Sequence, residues 1–219
     1  MYKVIDIENW NRKSQYEWFK TFSNPCYGID VDLDVTEVVK YTKETKTSFF
    51  INILYLITKG LNQVPSMRLR IVNDEVRLYD ICHPTYTVSN LNDTFDNCGN
   101  KMADSYHEFY NLCKTEVDNS KNSIERKLGY NSDVEYNVFY MTCLPWLYYS
   151  AMSHPLPDNN IESSSVPRIC WSKYKQVNDR YLMKLNITVS HVLVDGKPLC
   201  ETFNLIQELC INCREYFKS

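Results

Sequence analysis

The residues from Leu182 to Val189 form an apolar run, alternating with polar side chains from Met183 onward, that leads straight into Ser190-His191-Val192-Leu193-Val194-Asp195-Gly196. A period of two is the signature of a strand with one buried face. Such a strand must pair and must be covered, so the fold needs a sheet with a layer packed on it. The run also fixes where His191 stands, at the end of that strand. An imidazole held there can present one ring nitrogen to a substrate, as a general base working near neutral pH requires. His191-x-x-x-Asp195-Gly196 by itself is also compatible with a hydrogen-bonded structural histidine and a turn at Asp-Gly.

The rest of the chain supplies partners for that strand. Residues 13–22 read as a helix with Tyr16, Phe19 and Phe22 on one side. Tyr27 to Leu33 reads as a strand, and Asp34 to Glu44 as a short helix with Asp34 as its cap. Thr47 and Ser48 can cap a longer helix running to about Val64. Leu69–Ile71 and Val76–Tyr79 flank Asn73-Asp74-Glu75 as a hairpin. Strands are expected at Thr85–Val88, Tyr136–Cys143 and Tyr148–Met152, with a polar helix over 101–123. Ile169–Tyr174 and Tyr181–Val189 flank a second hairpin signal at Gln176-Val177-Asn178-Asp179. An amphipathic helix from about Pro198 to Tyr216 closes the chain. Residues 153–167, with His154 and Ser163-Ser164-Ser165, read as an exposed loop lining a site or an interface. With no repeat and no linker, the whole of 1–219 reads as one α/β domain. Its sheet is mixed, mostly antiparallel, and covered by helices.

Composition removes several function classes. The net charge of −3 gives no basic field for nucleic acid or an anionic membrane. The stretch Phe49 to Ile57 is too short to span a bilayer, and Met1 to Asp6 has no apolar signal core. A soluble, cytoplasmic protein is expected. The nine cysteines, an odd number, point to reduced thiols, and Cys210-x-x-Cys213 continues a helical apolar stripe into the core. The five glycines are scattered, so no phosphate-cradling loop is expected. The four histidines are scattered too, which disfavours a metal site.

Further elements accompany the motif in a fixed order. Trp10-Asn11-Arg12-Lys13 lies near the N-terminus, and Asn62-Gln63-Val64-Pro65 follows the long helix, with Met67-Arg68 beyond. Thr142-Cys143-Leu144-Pro145-Trp146 follows a strand. Lys173-Tyr174 and Asp179-Arg180 precede the motif strand, and Gln207-Glu208-Leu209 sits in the last helix. From about residue 2 to residue 213 the chain resembles the chloramphenicol acetyltransferases, the trimeric family within the CoA-dependent acyltransferases. The resemblance implies a two-layer subunit, a homotrimer with active sites between subunits, and direct acetyl transfer from acetyl-CoA without an acyl-enzyme. It implies no permanently bound cofactor.

Residue roles follow from the same resemblance. His191 matches the general base. Asp195 matches a carboxylate paired with the arginine at Arg12, although its spacing from His191 also suits an orienter of the imidazole if the loop turns helical. Thr142 stands where the family has the serine that stabilises the oxyanion. Phe19 stands where some members have tyrosine beside the acceptor, and Trp18 where a smaller residue or Phe is usual. Cys170 stands where a threonine hydroxyl is common, and Ser190 replaces the first of two histidines. These departures cluster around the acceptor side. The readings left standing are acetyl transfer to chloramphenicol with antibiotic resistance, acyl transfer to a different hydroxylated acceptor, and a non-catalytic trimeric binding protein.

Overall fold

The period-two run folds as a strand, β10 (Arg180–Ser190), next to one edge of the larger of two sheets. The computed structural model describes residues 1–122, 136–157 and 160–218. On one side β10 pairs antiparallel with the edge strand β2 (Cys26–Asp34). On the other it pairs antiparallel with β8 (Arg168–Ser172) and β9 (Lys175–Val177). Beyond β8 the sheet continues through two parallel neighbours, β7 (Val138–Leu144) and β5 (His83–Ser89), to the antiparallel edge strand β6 (Phe95–Gly99). The mixed, mostly antiparallel sheet expected from the hairpin signals is therefore present. A small antiparallel sheet joins β1 (Tyr2–Val4), β4 (Glu75–Tyr79) and β3 (Leu69–Val72). Asn73 and Asp74 turn the β3–β4 hairpin with φ of 51° and 64°, the conformation that a twist-matched two-residue loop needs.

Helices cover one face of the large sheet. They are α2 (Thr36–Thr45), α3 (Phe49–Gln63), α4 (Tyr106–Lys121) and α6 (Gly196–Ile211). Met183, Leu185, Ile187 and Val189 of β10 point into this layer with Phe139, Met141, Ile169 and Trp171. Helix α3 is buried on most sides, which explains its nearly unbroken apolar sequence. Ser48 caps it by accepting the Ile51 N–H at 3.4 Å. Gly60 lets α6 come close, because a Cβ there would lie 2.5 Å from Ile206 Cγ1. Cys210 and Cys213 are buried in this core, as their place on the apolar stripe predicts. Among the described residues no helix is long and apolar enough to cross a membrane.

Several local expectations are corrected. Tyr148–Met152 is not a strand. It crosses the sheet face away from the helices, where Tyr149 Oη donates to the Cys170 carbonyl at 2.9 Å and Tyr148 Oη donates to Asp32. Side-chain hydroxyls, not backbone pairing, hold it. The stretch 153–167 is not uniformly exposed. It contains the short helix α5 (Ile161–Ser164), and Ser164 to Pro167 are buried; residues 158–159 lie outside the described residues. The polar helix begins at Tyr106, where Ser105 caps it, and position 123 also lies outside the described residues. The last helix breaks at Asn212 before a final turn, α7 (Cys213–Tyr216). Strands β1 and β6 carried no sequence signal. The first is short and exposed, and the second contains Asp96, Asn97 and Gly99, so only pairing holds them in place.

Candidate functional site

Strand β10 delivers His191 and then ends in a helical turn. The N–H groups of Leu193 and Val194 both reach the Ser190 carbonyl, at 3.0 and 2.9 Å. The His191 backbone is gripped from two sides. Its N–H donates to the Pro25 carbonyl at 2.9 Å, and its own carbonyl accepts from Arg12 Nη2 at 3.1 Å.

The imidazole is fixed by two rings. Phe19, the last residue of α1 (Lys13–Phe19), stacks on it at 3.8 Å between centroids and 13° between planes. Tyr27, from the start of β2, packs at 4.7 Å and anchors its hydroxyl on the Val194 carbonyl. Burial first, and the Asp195 charge second, push the Tyr27 phenol up to about 12, so this ring stays neutral. Nδ1 of His191 is enclosed, yet the side chain as a whole is 32% exposed. The nitrogen left to face outward is Nε2.

Arg12 and Asp195 are brought together, as expected. Nε and Nη2 of Arg12 hold the two carboxylate oxygens at 2.8 and 2.7 Å, and Nη1 holds the Val192 carbonyl at 2.9 Å. These bonds from Arg12 outweigh the opposing effect of burial and hold the Asp195 carboxyl below the ordinary carboxylate range. Because the loop turns helical, Asp195 Oδ1 also comes within 3.4 Å of His191 Nδ1, but without the alignment of a hydrogen bond. Asp195 sits at the cap position of α6 without capping it, since Arg12 occupies its oxygens.

Thr142 and Cys170 lie elsewhere. Asp30, Asn186, Cys170 and Thr142 form one row across β2, β10, β8 and β7 on the sheet face away from the helices. His191 follows Asn186 by five positions along β10, roughly 16 Å of strand at ~3.3 Å per residue. Thr142 is a further two strands across. One protomer therefore does not unite His191 with Thr142 and Cys170. The Cys170 side chain is fully buried, and burial raises its thiol to about 11, so it is a packed thiol within the protomer. Trp18 is 60% exposed and leans edge-on against Phe22, which itself touches Phe19.

Beside the His191 loop is a cavity of about 410 Å³ between the segment after α1 and the segment leading into α5. Lys20, Phe22, Pro25, His154, Asn160 and Ser164 are among its lining residues. Its size is within the usual range for a small-molecule site. The sequence reading had pointed to the 153–167 stretch, but not to Lys20, Pro25 or Tyr27. Tyr27 gave no one-dimensional signal, because its partner lies on a strand far away in sequence. Among the described residues no three His, Cys, Asp or Glu side chains converge as metal ligands.

This topology has known counterparts. The family model described as chloramphenicol acetyltransferase matches residues 1–207. The chain belongs to the chloramphenicol acetyltransferase family. A chloramphenicol acetyltransferase of Escherichia coli is 26% identical over 217 residues, covering 95% of this chain and 94% of its own. One from Bacillus pumilus is 26% identical over 218 residues, covering 99% and 96%. A solved chloramphenicol acetyltransferase superposes with a TM-score of 0.84 at 23% identity, covering 96% of this chain and all of its own. A dihydrolipoamide acetyltransferase of Azotobacter vinelandii shares the fold more distantly, with a TM-score of 0.66 at 13% identity, covering 93% and 88%. The fold is thus that of the CoA-dependent acyltransferases.

Proposed function

We propose that the protein transfers the acetyl group of acetyl-CoA to a hydroxyl of chloramphenicol, with His191 as general base. The observation that carries this reading is the held imidazole: Phe19 on one ring face, Tyr27 beside it, Nδ1 enclosed and Nε2 outward. Nε2 takes the proton of the acceptor hydroxyl as that oxygen attacks the thioester carbonyl. The tetrahedral intermediate collapses, the carbon–sulfur bond breaks, and the proton passes to the departing CoA thiolate. A positioned base contributes roughly a hundredfold or more to such a step. Both substrates are bound together, with no acyl-enzyme and no permanently held cofactor.

The separation of His191 from Thr142 within a protomer supports a site built between protomers of a homotrimer. In this reading the partner subunit's Thr142 hydroxyl meets the oxyanion, and the partner subunit's Cys170 lies near it. A single oxyanion donor is worth ~2.7–4 kcal/mol in other enzymes. Phe19 and Trp18 form the acceptor side next to the cavity, and Arg12 with Asp195 braces the loop. Such an enzyme works in the cytoplasm, confers antibiotic resistance, and contacts neither nucleic acid nor membrane.

The test is a thiol-release assay with acetyl-CoA and chloramphenicol. Turnover that disappears in His191→Ala is expected. Turnover with another alcohol but none with chloramphenicol would overturn the acceptor, and activity surviving His191→Ala would overturn the base.

A further inference from the structure

In the acyl-transfer reading, His191 is a cation for part of each turnover. Nε2 takes the acceptor's proton as the oxygen attacks the thioester, and the ring stays an imidazolium until that proton passes to the CoA thiolate. A cation formed in a partly buried site needs a counter-charge. In a Ser-His-Asp triad a carboxylate hydrogen-bonded to Nδ1 supplies it. The residues here are arranged differently. Nδ1 is enclosed and has no hydrogen-bond partner. Asp195 Oδ1 stands 3.4 Å away, but Arg12 holds both carboxylate oxygens, at 2.8 and 2.7 Å. The same guanidinium reaches the His191 and Val192 carbonyls at 3.1 and 2.9 Å, so its positive charge stays beside the loop. At the imidazole, the cation of this pair offsets much of the pull of its anion.

The groups that face the ring are aromatic. Phe19 lies 3.8 Å from it between centroids, with 13° between planes. So short a distance at so small a tilt leaves little offset between the two rings. Neutral aromatic pairs prefer offset or edge-on contacts at about 4.5–7 Å, because full overlay sets two negative faces against each other. The penalty reverses when one ring becomes a cation. Tyr27 lies at 4.7 Å and 34°. Rings set edge to edge at that tilt would stand farther apart, so Tyr27 presents part of its face. Both centroids are within the ~6 Å reach of a cation–π contact.

We propose that the faces of Phe19 and Tyr27 serve as the counter-charge of the His191 imidazolium, and so stabilise the charged intermediate as well as holding the base in place. The inference rests on the acyl-transfer reading and deepens it. Neither ring bonds to the imidazole, and both act through it by contact of their faces. The attraction grows only as the proton arrives, so it speeds the transfer step and leaves acceptor binding unchanged.

The charge of a ring face can be varied at nearly constant shape. Phenylalanines carrying one, two or three fluorines (4-fluoro, 3,5-difluoro, 3,4,5-trifluoro) are placed at position 19 by nonsense suppression. The single-turnover rate of acetyl transfer to chloramphenicol is expected to fall stepwise, by roughly tenfold over the series. The KM for chloramphenicol and the Tm are expected to stay near wild type. Cyclohexylalanine at position 19, which fills the space without a π face, is expected to lose at least as much rate. A rate independent of fluorine number overturns the proposal, even if cyclohexylalanine is slow. If the position-19 variants fail to fold, the same series at position 27, referred to Tyr27→Phe, takes their place, and a flat rate there overturns it. No turnover by the wild type with any acceptor sinks the acyl-transfer reading instead. The proton affinity of His191, followed through its ring protons by NMR titration, then decides: it must fall along the series, and a constant value overturns the proposal.

Discussion

Arg12 and Asp195 are 183 positions apart in sequence and meet through two hydrogen bonds of 2.8 and 2.7 Å. The same guanidinium holds the carbonyls of His191 and Val192, so one side chain ties α1 to the whole loop. Arg12→Met is expected to destabilise the protein by about 2–3 kcal/mol. That is below the ~3–5 kcal/mol of a fully buried pair, because Asp195 keeps water contact. Arg12→Lys is expected to recover little, since an ammonium cannot reproduce the fork. Chemical denaturation gives the stability, and the kcat of the folded variants reports the loop.

Phe19 controls the imidazole by contact alone. Phe19→Ala removes the ring stacked at 3.8 Å and leaves His191 free to turn. A fall of roughly tenfold to a hundredfold in kcat is expected, because small misplacements of a reacting group carry such costs. Phe19→Tyr keeps the stack and is expected to stay within a few-fold of wild type. Equal losses in both variants would show that the ring's packing is not what matters.

A site shared between protomers predicts complementation. His191→Ala and Thr142→Val are each expected to lose most activity. Mixed oligomers of the two, made by co-expression, are expected to regain some, because certain interfaces then pair an intact His191 with an intact Thr142. Mixtures no more active than the single variants would place both residues in one protomer's site.

His154 predicts how stability depends on pH. Its folded pKa is about 4, below the ordinary value of 6.5. Between those values the unfolded chain binds the proton and the folded one does not, so stability is full above about 6.5 and is lost as pH falls towards 4. The wild-type Tm is expected to fall across that window. His154→Gln should flatten the slope there and leave the slope below pH 4, where carboxylates such as Asp195 protonate, unchanged.

Much of this was legible beforehand. Alternation named β10, the apolar run named α3, and the spacing of Trp10-Asn11-Arg12-Lys13 and Thr142-Cys143-Leu144-Pro145-Trp146 pointed to the family. Tyr148–Met152 was misread because its tyrosines use hydroxyls to cover the sheet, a bonding pattern with no periodicity. Asp195 looked able to orient His191 or to brace the loop. The helical turn at Ser190 brings it near the imidazole, and Arg12 takes its oxygens.

The sequence by itself determined the strand that ends in His191, the helices that cover one face of the sheet, and the residue types available for proton transfer. Those follow from local periodicity and side-chain chemistry. Only the tertiary structure decided which groups touch. It set Phe19 and Tyr27 against the imidazole and closed Arg12 on Asp195. It placed Cys170 one strand and Thr142 two strands away from the strand that ends in His191. Each of these depends on strand register and on contacts between segments distant in the chain, which no local pattern encodes.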